Sequence, residues 1–161
     1  MPSGTILYVE NCPEDVELLT RMFKSLKVQN HLVSASNGEE AFFYLMGSGP
    51  FGDRSQFPYP DLVLLDIGLP GWDGFEVLEC IRSEESLRQL PVIMFSNSDA
   101  PEDKARALEL GANAYMTKTA SRTRLYEAVK DINDQVLGPR FPDAVIELSP
   151  PKATENPVPA P

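Results

Sequence analysis

Cysteine is scarce in this chain, with Cys12 and Cys80 alone among 161 residues. Two thiols cannot build a disulfide framework, and both are expected to be reduced, as in a cytoplasm. No apolar run reaches the roughly 20 residues that a membrane-spanning helix needs. Met1-Pro2-Ser3-Gly4 leads straight into a strand pattern, so the expectation is a cytoplasmic chain without a secretory leader. Positive charge is short as well. Fourteen Lys and Arg against 24 Asp and Glu leave a net charge of −10, which repels phosphates and argues against a general binder of nucleic acid or anionic membrane. There is no internal repeat. What is present is an ordinary soluble composition, long enough for one domain with a real core and a tail.

Strand and helix patterns alternate along the chain. Thr5-Ile6-Leu7-Tyr8-Val9 reads as a strand. Pro13 suits a first helical turn, acidic Glu14, Asp15 and Glu17 suit the positive end of the helix dipole, and Val16, Leu19, Phe23 and Leu26 form an apolar stripe,. His31 to Ser36 reads as a short strand. Asn37 with Glu40 matches a capping box that opens a helix through Ala41, Phe42 and Leu45. Gly47 to Pro60, rich in Gly, Pro and polar residues, reads as a long surface loop.

The unalternating run Leu62-Val63-Leu64-Leu65 predicts a strand buried on both faces, hence a parallel sheet between helices. Asp66 closes it, and Ile67-Gly68-Leu69-Pro70-Gly71-Trp72-Asp73-Gly74 forces a turn,. Gly74 to Arg82 is the next helix, with Phe75, Leu78 and Ile81 on one face. A strand at Pro91 to Phe95, a helix from Pro101 ended by Gly111, and a strand at Ala114 to Thr117 follow. Arg122 to Leu137 is the last helix, stopped by Gly138-Pro139. Five strands alternating with five helices predict an α/β fold, a doubly wound parallel sheet with helices on both faces. Residues 1–138 would be this domain. Residues 139–161 would be a Pro-rich, partly disordered extension, in which Ala144 to Leu148 could add a strand to an edge or a partner.

In open sheets of this kind ligands bind at the carboxyl ends of the strands. The positions there are Glu10 and Asn11, Asp66, Ser96 and Lys118; the strand starts carry no comparable set. A carboxylate nucleophile, hard oxygen ligands for a divalent cation and a fixed ammonium are the parts that phosphoryl transfer needs.

The motifs Ile6 to Pro13, Asp61 to Gly74, Pro91 to Asp99 and Gly111 to Lys118 resemble the receiver domain of bacterial two-component response regulators, with the CheY-like, flavodoxin-like fold. The resemblance spans about Thr5 to Leu137. The Gly47 to Pro60 loop, the Pro70 to Gly74 turn and the absence of an output domain resemble the single-domain regulators that partner phytochrome-type histidine kinases. The resemblance implies that Asp66 takes a phosphoryl group from a kinase phosphohistidine. It also implies Mg²⁺ held by Glu10, Asn11, Asp66 and the carbonyl of Gly68. Lys118 would pair with the phosphoryl charge, Ser96 would hydrogen-bond it, and Tyr115 would change rotamer with Ser96. Phosphorylation would then shift a population toward the closed arrangement. The surface that changes would be the fourth helix, fifth strand and fifth helix. Homodimers through that surface or through the C-terminal segment, a kinase or phosphotransfer partner, and no nucleic acid or membrane partner are the corresponding expectations.

Two positions depart from the family. Asn11 stands where a second acid is usual, so the metal site has one charge fewer, a loss of ~1–3 kcal/mol if a charge-assisted contact becomes neutral. Thr119 stands where Pro is common, and a trans Lys118-Thr119 bond is expected. These two residues keep open a protein-binding pseudo-receiver that works without phosphorylation. A phosphatase of the haloacid dehalogenase type would need an Asp two residues after Asp66, where this chain has Gly68. Trp72 reads either as a lid over the site or as surface packing. Cys12 is expected to be a buried structural thiol, Cys80 a core residue, His31 structural, and Phe42 and Phe43 core and packing residues.

Overall fold

The computed structural model describes residues 5–25 and 31–118. The predicted helix at 122–137, the strand-like 144–148 segment, the C-terminal extension and Thr119 lie outside the described residues. In chain order the elements are β1 (Thr5–Val9), α1 (Pro13–Ser25), β2 (His31–Ala35), α2 (Gly38–Met46), β3 (Leu62–Leu65), α3 (Gly74–Ser83), β4 (Val92–Ser96), α4 (Pro101–Glu109) and β5 (Ala114–Thr117). The five strands form one parallel sheet in the order β2-β1-β3-β4-β5. The expected doubly wound sheet is present.

Strand parity sorts the core into two layers, because successive side chains point to opposite faces. Ile6, Tyr8, Leu62, Leu64, Ile93, Phe95, Ala114 and Met116 cluster with Leu19, Met22 and Phe23 of α1. Leu7, Val9, Val63, Leu65, Val92, Met94 and Tyr115 cluster with residues of α2 and α3 and with Ala107 of α4. β1, β3 and β4 are buried along their whole length, which is why β3 shows no alternation of polarity. His31 begins the edge strand β2 and is exposed.

Several expectations change in detail. Asn37 does cap α2, its side chain accepting from the Glu40 backbone N–H. The reciprocal bond of the capping box is missing, because Glu40 Oε1 accepts from the N–H and hydroxyl of Ser36. A full box instead opens α3, between Asp73 and Glu76. Phe43 is not a core residue: it is 45% exposed, on the outer side of α2, while Phe42 is half-buried. The Gly47 to Pro60 segment is more than a surface loop. Phe51 and Phe57 fold onto Tyr44 with ring centroids 5.2 and 6.2 Å away, and Arg54 donates to the carbonyls of Leu45 and Phe57. Gly111 ends the α4 region as expected, at φ 105, a left-handed conformation suited to glycine.

Candidate functional site

The register places the chemistry at one rim. Val9 pairs with Leu65, so the next residues, Glu10 and Asp66, leave adjacent strands together. Ser96 pairs with Thr117, and the backbone N–H of Lys118 continues that ladder to the Ser96 carbonyl at 2.8 Å. Parity then divides the set. Glu10, Asp66 and Lys118 continue the alternation that faces α1, whereas Ser96 and Tyr115 continue the opposite one,.

Lys118 is the centre of the first group. Its Nζ donates to Glu10 Oε1 at 2.5 Å and to Asp15 Oδ2 at 2.8 Å, and lies 3.9 Å from Asp66 Oδ1. Its side chain is only 9% exposed. Burial alone would lower the ammonium pKa, but the hydrogen bonds to Asp15 and Glu10 and the charge of Asp66 outweigh it and leave the group raised,. Burial pushes Glu10 above the ordinary carboxylate range, against the pull of Lys118. The other Glu10 oxygen accepts from the Cys12 N–H at 3.1 Å. Tyr8 stands beneath this group with its hydroxyl donating to Glu10 Oε1 at 3.5 Å; burial first, then the charges of Glu10, Asp15 and Asp66, raise its pKa.

Asp66 itself is buried, and its backbone N–H donates to the Val9 carbonyl. The turn after it is fixed by Gly74, whose N–H donates to the Ile67 carbonyl at 2.9 Å. A Cβ on Gly74 would overlap the Asp66 carbonyl oxygen and come within 2.8 Å of Ile67 Cα. The start of α3 therefore lies directly against the backbone of the predicted phosphoacceptor, and only glycine permits it. Gly68 borders the same carboxylate, since a Cβ there would lie 4.0 Å from Asp66 Oδ2.

The second group lies in the turn from β4 to α4. Ser96 is buried and its hydroxyl accepts from the Ser98 N–H at 3.2 Å. Ser98 is also tied to Asp103 through its hydroxyl, and its carbonyl accepts from the Tyr115 hydroxyl at 2.9 Å. Tyr115 is buried, which raises its pKa against the opposing hydrogen bond to Ser98. One residue thus connects the two side chains that the sequence proposed as a coupled pair.

The remaining expectations resolve as follows. Asn11 is exposed, and Lys118's three carboxylate neighbours all come from other positions. Cys12 is not a buried structural thiol; it is partly exposed and its Sγ donates to Glu14. Cys80 is partly buried rather than fully in the core. Trp72, 38% exposed, packs edge-on to Phe42 at 6.0 Å and touches the Gly38 position, so it contacts α2. The residue that sequence reading missed is Asp15. The helix dipole alone is a sufficient reason for an acid in the first turn of α1, and 103 residues separate Asp15 in sequence from Lys118.

The donor chemistry of the rim suits a hard divalent cation. Carboxylates of Glu10 and Asp66 and the neighbouring Gly68 backbone are oxygen donors, and the Lys118 ammonium already occupies a cation's position among the carboxylates. The ligating atoms of Glu10, Cys12 and Asp15 lie within 4.8 Å of one another.

A family model described as the response regulator receiver domain matches residues 6–130. The response regulator Rcp1 of Synechocystis is 31% identical over 131 residues, covering 81% of this chain and 87% of Rcp1. The crystal structure of the Mn²⁺-bound form of Rcp1 superposes with a TM-score of 0.74 at 30% identity, covering 88% of this chain and 99% of the other. The phosphorylated cyanobacterial phytochrome response regulator RcpA gives a TM-score of 0.78 at 31% identity, covering 89% of this chain and all (100%) of that one.

Proposed function

The chain belongs to the response regulator receiver domain family, and from that premise we propose that it is a phosphorylation-switched signalling module whose phosphoacceptor is Asp66. The observation that carries this reading is the convergence of Asp66, Glu10 and Lys118 at one rim, with Lys118 Nζ 3.9 Å from Asp66 and bound to two other acids. Receivers are signalling proteins, and the chemistry here is self-directed. A carboxylate oxygen of Asp66 forms a bond to phosphorus as the P–N bond of a histidine kinase's phosphohistidine breaks; the imidazole nitrogen keeps the electron pair and takes up a proton.

The rim residues each do part of this. Glu10, Asp66 and the Gly68 carbonyl, with Asn11 at the edge, would hold Mg²⁺, which when bound neutralises the charge of the transferring phosphoryl group. Lys118 leaves its carboxylate partners and pairs with the phosphoryl oxygens. Ser96 turns its hydroxyl from the Ser98 N–H to the same group. Releasing Ser98 alters the anchor of the Tyr115 hydroxyl, and through it the face of α4 and β5, where Leu108 is 49% exposed. That face is the proposed docking or dimerisation surface. Among the described residues no helix is long and apolar enough to cross a membrane.

Trp72 fluorescence provides the test, because Trp72 sits in the turn that carries Asp66 onward to α3. Beryllofluoride with millimolar Mg²⁺ should give a saturable change in the full chain and none in Asp66→Asn. No response in the full chain would overturn the switch in favour of the phosphorylation-independent module, the reading that exposed Asn11 and the engaged Lys118 support.

A further inference from the structure

We propose that Asp15, in the first turn of α1, is the third carboxylate of the divalent-cation site and stands in for the acid that position 11 lacks. The proposal rests on the receiver reading above and concerns how this particular chain completes its rim.

Three observations carry it. The first is parity. Glu10, Asp66 and Lys118 extend the strand positions that face α1, so the helix that covers them is the one that carries Asp15. Asn11, one residue past Glu10, follows the opposite parity and is exposed. The second is the cation already in place. The Lys118 ammonium has carboxylates of Glu10, Asp15 and Asp66 at 2.5, 2.8 and 3.9 Å. Three acids around one positive charge supply the formal charge that a receiver with an acid at position 11 would have, but the third comes from α1. The third is exposure of the donor. The Asp15 side chain is 33% exposed, against 3% for Glu10, so it can reorient toward an entering ion without unpacking the core.

Cys12, the other residue near this cluster, does not compete for the role. Its Sγ is engaged with Glu14 at 3.2 Å, and a thiol is a poor ligand for a hard cation such as Mg²⁺. Asp15 also differs from an ordinary first-turn acid. Favourable interaction with a helix dipole does not require a buried ammonium 103 residues away in sequence,.

Calorimetric titration of Mg²⁺ into the full chain tests the assignment, with folding of every variant checked by circular dichroism. Asp15→Asn should weaken Mg²⁺ binding about tenfold, the usual scale for exchanging one charged ligand for a neutral one. Asn11→Asp should raise Mg²⁺ affinity more in the Asp15→Asn variant than in the wild type, a non-additivity that a merely structural role for Asp15 would not produce. The same Asp15→Asn loss should persist in a Lys118→Met background. Unchanged Mg²⁺ affinity in Asp15→Asn, or a loss that disappears once Lys118 is Met, would overturn the proposal and leave Asp15 as a partner of Lys118 only. If either occurs while the wild-type chain still binds Mg²⁺ and responds to beryllofluoride, the receiver reading stands. A wild-type chain that neither binds Mg²⁺ nor responds would overturn both.

Discussion

The two edges of the sheet each hold a cation, Lys118 with an almost fully buried side chain and Arg82 half-buried, and they hold it in opposite company. At the carboxyl edge Lys118 is surrounded by the carboxylates of Glu10, Asp15 and Asp66. At the amino edge Arg82 of α3 donates to the carbonyls of Gly111, Arg88 and Leu90 and to Asn113 Oδ1, at 2.8 to 3.0 Å. Its pKa is lowered by burial, and its hydrogen-bond partners among the described residues include no acid. Charged partners can be claimed by another cation, so Lys118 can be released. Neutral carbonyls fixed in turns offer Arg82 no alternative state. Under the proposed function a cationic side chain is a switch at one edge and a strut at the other, and the difference lies in what accepts its hydrogen bonds.

The strut gives the largest expected effect. Arg82→Met strands three carbonyls and one amide oxygen around an apolar side chain, and should lower unfolding free energy by about 3 kcal/mol in urea titration. Its Mg²⁺ titration should match the wild type. A parallel loss of Mg²⁺ affinity would mean that the two edges are coupled.

Lys118→Met should cost less, about 2 kcal/mol: it leaves Glu10 and Asp66 as buried carboxylates, but Asp15 reaches water and burial already favours the neutral form of Glu10,. Unlike the Arg82 loss, this one should be recovered by millimolar Mg²⁺, since an ion that binds only the folded state stabilises it by mass action. Thermal unfolding with and without Mg²⁺ measures the recovery. An equal deficit under both conditions would show that Lys118 holds the fold rather than competing for the cation site. Asn113→Ala should cost roughly 1–2 kcal/mol, since its Oδ1 accepts from both Arg82 and the Val92 N–H,; it too should be insensitive to Mg²⁺.

How legible each edge was in the sequence follows from the same contrast. Parallel strands put Glu10, Asp66, Ser96 and Lys118 at one rim because each ends an apolar run, and run ends can be read directly. That the sheet is parallel and covered on both faces follows from unalternating runs such as Leu62 to Leu65. Arg82 could not be found that way, nor was any such group expected at the amino edge. Three of its four partners are backbone carbonyls, which carry no residue identity, and the fourth is 31 residues distant. Gly74 read as a helix start because its constraint is a clash with the backbone of Asp66 rather than a pattern. Asp15 was hidden by having a sufficient local explanation. Phe43 was misplaced because a Phe pair on a helix does not reveal which ring faces inward.

The smallest expected change in stability separates the edges most sharply. Ser96 is buried, and its hydroxyl accepts from the Ser98 N–H at 3.2 Å, at the long end for such a contact. Ser96→Ala leaves that N–H without this acceptor, while Ser98 keeps its bonds to Asp103 and Tyr115. The cost to folding should therefore be under about 1 kcal/mol. At the carboxyl edge, however, the proposed function assigns Ser96 a bond that forms after the phosphoryl group arrives. Removing the hydroxyl should weaken beryllofluoride binding about fivefold to tenfold in the Trp72 titration, the value of one hydrogen bond to a charged acceptor. Wild-type affinity for the mimic in Ser96→Ala would remove Ser96 from the switch and leave Lys118 to sense the phosphoryl charge alone.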